Sequence, residues 1–66
     1  MANMTSLLLP DSKTSIALNQ IGQVVAYENG VGIINLRGKM IGWIPCLDED
    51  IAAKVVAMID QILNNP

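Results

Sequence analysis

Residues 23–44 decide the fold: Gln23-Val24-Val25-Ala26-Tyr27-Glu28-Asn29-Gly30-Val31-Gly32-Ile33-Ile34-Asn35-Leu36-Arg37-Gly38-Lys39-Met40-Ile41-Gly42-Trp43-Ile44. Three runs rich in Val, Ile, Tyr and Trp are separated by Asn29-Gly30 and Arg37-Gly38, and Pro45 closes the third. β-branched and aromatic side chains suit a pleated, half-buried backbone. Asn-Gly is the strongest short hairpin signal, because both residues tolerate the positive φ of a type I′ turn. Arg37-Gly38 is a weaker turn signal of the same kind. The stretch therefore predicts a three-stranded antiparallel meander over residues 22–28, 31–36 and 39–44.

With two-residue loops at both turns, Tyr27 faces Gly32, Ala26 faces Ile33 and Val25 faces Ile34. On the other side Gly32 faces Trp43, Ile33 faces Gly42 and Ile34 faces Ile41. Alternation then sorts the side chains. One face carries Val25, Tyr27, Ile34, Leu36, Ile41 and Trp43; the other carries Val24, Ala26, Val31, Ile33, Met40 and Ile44. Neither face is polar. Gly32, lacking a side chain between two large rings, leaves them room to close over it.

Working outward, the C-terminal segment predicts a helix over about 48–64. Asp48 suits the N-cap, and Glu49 and Asp50 suit the positive end of the helix dipole. Ile51, Ala52, Val55, Val56, Met58, Ile59, Ile62 and Leu63 fall within an arc of about 160°. Toward the N-terminus, residues 1–13 read as an arm in which Leu7-Leu8-Leu9 ends at the turn signal Pro10-Asp11-Ser12-Lys13. Such an arm lays its leucines on the domain or on a neighbour, or forms a short edge strand. Residues 14–19 alternate like a further strand, followed by a turn around Leu18-Asn19-Gln20. The expected architecture is a small α+β domain at 14–66: a meander of three or four strands and one C-terminal amphipathic helix.

Composition narrows the class. The chain has 66 residues, 52% of them hydrophobic and 15% charged, with net charge −2 and no histidine. Soluble domains usually carry about 25% charged residues, and disordered chains show the reverse balance. No apolar run approaches the roughly 18 residues of a membrane span. Leu7-Leu8-Leu9 is too short for a signal-peptide core and has no basic region before it. These features point to a cytoplasmic chain without membrane association. An isoelectric point near 4.5 argues against generic attraction to nucleic acid.

Candidate chemistry is sparse. Cys46 precedes a helix start, where a thiol is sometimes activated, but Asp48, Glu49 and Asp50 surround it with negative charge and no histidine can serve as its base. Those three acids are accounted for by capping; their side chains diverge on one helical turn and have no calcium-loop spacing. Gly30-Val31-Gly32 lacks the third glycine and the following helix of a dinucleotide fingerprint. Nothing here points to a catalytic residue, a cofactor or a metal. Arg37 and Lys39 at a hairpin tip, with Tyr27 and Trp43, form the one pattern suggestive of single-stranded nucleic acid.

The decisive feature is apolar excess. One helix covers one face of a three-stranded sheet, and soluble monomers rarely leave several hundred Å² of contiguous apolar surface open. The expectation is a non-enzymatic, homo-oligomeric protein-interaction module, such as a regulator, inhibitor or accessory subunit, binding itself as a homodimer or larger assembly and another protein besides. Self-association is expected through Leu7, Leu8 and Leu9 together with Val24, Ala26, Ile33, Met40 and Ile44. Arg37, Gly38 and Lys39 are the expected contacts for an external partner. The alternatives are a nucleic-acid-binding module using Arg37, Lys39, Tyr27 and Trp43, or a small-ligand sensor with a pocket between subunits.

Overall fold

The computed structural model describes residues 6–11 and 13–64. Strands β1 (Ser6–Leu8) and β2 (Ser15–Ala17) form an antiparallel hairpin, and a 3-10 turn, Leu18–Gln20, follows. Strands β3 (Ile21–Tyr27), β4 (Gly30–Asn35) and β5 (Met40–Pro45) form an antiparallel meander in that order, and helix α1 (Glu49–Asn64) ends the fold. The α+β class, the meander and the C-terminal helix are those the sequence predicts. Of the two readings of the N-terminal arm, the short strand holds over Ser6–Leu8, which pairs with Ser15–Ala17, so β2 does not extend the meander as a fourth strand. Residues 1–5 of that arm lie outside the described residues.

The first hairpin register also differs. Tyr27 pairs with Gly30 and Val25 with Gly32, so Glu28-Asn29 is the connection and Gly30 belongs to β4. The predicted pairing is offset by two residues, which preserves the face of every side chain. Across the second hairpin, Gly32 pairs with Trp43 and Ile33 with Gly42, as expected. That register then shifts at Ile34, which pairs with Met40 instead of Ile41. The turn is longer than two residues, and Asn35 organises it. Its Oδ1 accepts hydrogen bonds from the N–H groups of Arg37 and Lys39, both at 2.9 Å. Gly38 supplies the one positive φ among the described glycines, +85°.

Two bulges set which side chains enter the core. The irregularity around Gly22 turns Ile21 inward, and the one opposite Ile33/Ile34 does the same for Ile41. Ile21 packs with Leu9, Ile16 and Ile33, while Ile41, Val24, Ile44 and Leu63 pack against that cluster. The predicted faces of Met40 and Ile41 are therefore exchanged. The extra residue of a bulge breaks the period-two alternation on which the prediction rested.

Helix α1 packs across β3 and β4. Asp48 caps it, with Oδ1 accepting the Ile51 N–H at 2.9 Å. Ala52 and Ile59 are buried on its inner side; Ile51 and Met58, at the margin of the predicted stripe, are exposed. The β1–β2 hairpin closes the core over β5. A Cβ on Gly42 would meet Ile16 Cδ1 at 2.6 Å and Leu9 Cδ1 at 3.0 Å. The helix and the hairpin thus divide one face of the meander between them.

Candidate functional site

The opposite face of the meander carries the candidate site. Alternation places Val25 and Tyr27 of β3, Gly30, Gly32 and Ile34 of β4, and Trp43 of β5 on it, and the β5 bulge adds Met40. Tyr27 is 39% exposed, Met40 46% and Trp43 37%. The two rings lie 5.7 Å apart between centroids and are tilted by 42°, a geometry that aromatic pairs favour over a flat sandwich.

Glycine seats these side chains. The indole lies on Gly30, where a Cβ would stand 2.7 Å from Trp43 Cε2. Tyr27 and Met40 close over Gly32, where a Cβ would stand 2.9 Å from Tyr27 Cε2 and 2.8 Å from Met40 Cε. Each ring leans diagonally, because Trp43 pairs across the ladder with Gly32, and Tyr27 with Gly30. Gly30 and Gly32 are buried beneath them. The result is a shallow apolar surface carried on regular strands.

The predicted self-association residues separate in the structure. Leu9 and Ile33 are buried within the chain, and Leu7, Val24, Ala26 and Ile44 are half-buried. Leu7, Val24 and Ile44 pack against the core cluster. Leu7, Leu9, Val24, Ile33 and Ile44 thus lie in or against the chain's own core, under α1 and the hairpin. Leu8 is exposed on β1, away from that core. Met40 is exposed as well, but on the opposite face from the one predicted. Sequence reasoning placed self-association on the other face and gave Tyr27 and Trp43 no part in it; their pairing with glycines was the signal that they rest on the sheet.

Arg37, Gly38 and Lys39 are exposed in the β4–β5 turn. This turn lies at the far end of the strands from Tyr27. At the near end stand Glu28, in the β3–β4 connection, and Asp48, Glu49 and Asp50. The Cys46 N–H donates to the Asn29 carbonyl at 3.0 Å, which ties the start of the helix segment to that end. Bases stacked on the rings would therefore lie toward the acidic end of the strands, with the two cations about 20 Å off by the rise of a six-residue strand.

Cys46 is a free, half-buried thiol whose Sγ lies 3.6 Å from the Ile44 carbonyl oxygen. Among the described residues, no group of three or more His, Cys, Asp or Glu side chains could hold a metal ion, and no helix is long and apolar enough to cross a membrane. A cleft of about 350 Å³ is lined by residues that include Thr14, Ser15, Gln20, Asn35 and Ile41. It opens between β2 and the basic end of the meander, and none of the described residues lining it is charged. Compared with known proteins, the chain matches no family model, no curated protein and no solved structure.

Proposed function

We propose that this chain is a non-enzymatic protein-interaction module that works through the uncovered face of its meander and associates with itself there. The observation that carries this reading is the exposure of Tyr27, Met40 and Trp43 on one glycine-floored face. Aromatic residues and Met are enriched at protein interfaces, and rigid rings lose little entropy when they are covered. Their support by strands makes the surface preformed, which lowers the ordering cost of binding. The net charge of −2 and the acidic residue Glu28 beside Tyr27 in sequence disfavour the nucleic-acid alternative, since they repel a polyanion where stacking would need to hold it.

Sedimentation velocity over a concentration series tests the reading. An apparent mass rising above that of the 7.1 kDa chain, with a blue shift of the single Trp43 emission, is the expected result. A particle that keeps the single-chain mass up to high micromolar concentration, with unchanged emission, overturns it.

A further inference from the structure

The charges of this chain are sorted along its strands. Glu28 and Asp48, Glu49 and Asp50 stand at one end of the meander, and Arg37 and Lys39 at the other. The remaining charges come one of each sign: Asp11 with Lys13 in the β1–β2 loop, and Lys54 with Asp60 on the helix. The sheet therefore has an acidic end and a basic end. Six residues of strand separate them by about 20 Å, more than twice the screening length of about 8 Å at physiological salt. Within one chain the two ends scarcely interact.

On this basis we infer that the occupant of the open face is a second copy of the chain, stacked sheet on sheet with its strands reversed. The inference rests on the reading of that face as a self-association surface, and it specifies the orientation. A two-fold axis lying in the interface can run along the strands or across them. The first superposes acidic end on acidic end. The second sets the Glu28 end of each copy over the Arg37 and Lys39 end of the other.

Side-chain shape favours the same choice. Tyr27 and Trp43 occupy the acidic half of the face, and Met40, paired with Ile34, occupies the basic half. With strands reversed, each β5 lies over the other β5, so Trp43 of one copy faces the half of the strand that carries Met40 in the other, and sulfur–aromatic contacts are favourable. With strands in the same direction, rings would meet rings. Exposed Leu36 and Leu47, at the basic and acidic ends respectively, are also brought together only by reversal.

Magnitudes make orientation a matter of charge. Three strands about 4.8 Å apart and about 20 Å long present a footprint of roughly 300 Å², well under the ~800 Å² per partner of a standard interface. Apolar contact on that scale gives weak association, and like charges brought together at both ends suffice to forbid one arrangement.

The test uses the full chain with Cys46→Ser. Chains carrying Lys39→Cys are mixed with chains carrying Glu28→Cys and oxidised gently, beside each variant alone. The expected result is cross-linking in the mixture and little in either variant alone, with Trp43 emission shifting blue as the chains associate. Dimer formation in the unaltered chain should weaken roughly tenfold between low and high salt, the scale of a few exposed ion pairs. Arg37→Glu with Lys39→Glu should abolish association, and mixing with Glu28→Lys, Asp50→Lys chains should restore it. Asn35 holds the Arg37 and Lys39 backbone N–H groups, so these side-chain changes leave the turn bonded; circular dichroism checks that the fold persists. Cross-linking of each variant with itself, with the Trp43 shift, overturns the reversed stack while leaving self-association at the open face standing; association without a Trp43 shift (a sheet edge or the helix as contact) overturns both. A single-chain mass at every concentration overturns both.

Discussion

Replacing Gly30 by Ala is expected to destabilise the fold and lift the indole, even though alanine is ordinarily the better strand residue. Gly loses more backbone entropy on folding, so the substitution should favour folding by roughly 0.5–1 kcal/mol if there were room. There is none. The new Cβ would stand 2.6 Å from the Ile44 carbonyl oxygen and 2.7 Å from Trp43 Cε2. The carbonyl belongs to the β4–β5 ladder, where Val31 pairs with Ile44, and cannot retreat without disturbing that pairing. Overpacking of this kind costs typically about 1–3 kcal/mol, so the net expectation is a loss of about 1–2 kcal/mol. Gly32→Ala provides the contrast. Its nearest atoms are side-chain ends, Met40 Cε at 2.8 Å and Tyr27 Cε2 at 2.9 Å. An exposed methionine can swing away, so that change should cost under about 1 kcal/mol. Urea melts followed by far-ultraviolet circular dichroism, with Trp43 emission recorded alongside, measure both. Gly30→Ala as stable as the parent, or less costly than Gly32→Ala, would refute the assignment of Gly30 to ring seating and backbone contact.

Other expectations follow from single residues. Ile33→Ala removes a fully buried side chain at the centre of the core and should cost about 2–5 kcal/mol, enough in a chain this small to leave it unfolded by near-ultraviolet circular dichroism. Asp48→Ala removes the bond to the Ile51 N–H and should lower stability by about 1 kcal/mol, with Asp48→Asn retaining most of it in the same melt. Asp11 is held below the ordinary carboxylate range, first by the Thr14 hydroxyl at 2.6 Å and then by the Thr14 and Lys13 N–H groups. Its folded-state value is depressed, so its contribution is present above the unfolded-chain value and is lost as pH falls through the lower folded one. Carboxyl titration by NMR should show the depressed midpoint in the parent and a rise toward the ordinary value in Thr14→Val.

The elements were legible because their signals are local. The Val/Ile/Tyr runs, the Asp48 cap and the helix itself each read correctly, and the stripe from Ile51 to Leu63 did so apart from the exposed Ile51 and Met58, since period and propensity act within a few residues. The first register misled because Asn29-Gly30 carries the strongest turn signal while Gly30 is needed elsewhere. Its φ is not positive, and the glycine is explained by Trp43 lying on it, a contact from another strand. Met40 and Ile41 changed places for a related reason. A bulge is a count of residues across two strands, and no single run displays it. The candidate site was half-legible: Tyr27, Gly32 and Trp43 were placed together on one face correctly, but which face the helix would cover depended on where β1 and β2 went. The leucine-bearing arm was the least local element, and its pairing with Ser15–Ala17 directed Leu9 to β5.

The allocation of cover over the sheet follows from that pairing. Helix α1 spans β3 and β4, and β5 would remain bare on the same side without the β1–β2 hairpin, whose Leu9 and Ile16 lie against Gly42. Both available covering elements are thus consumed by one face. Nothing else among the described residues lies over the other, which retains the largest side chains in the chain. Evenly distributed charge would keep such a face soluble in any orientation of approach. Here none of the ten charged residues lies on the strands of that face, and six of them stand at its two ends with opposite sign. An apolar centre between unlike poles is unfavourable toward a uniformly charged partner and toward a same-direction copy, and favourable toward a reversed one. Glycine at positions 30 and 32 contributes to that arrangement by seating the rings low, so that two such surfaces can approach at the ordinary spacing of about 10 Å between stacked sheets.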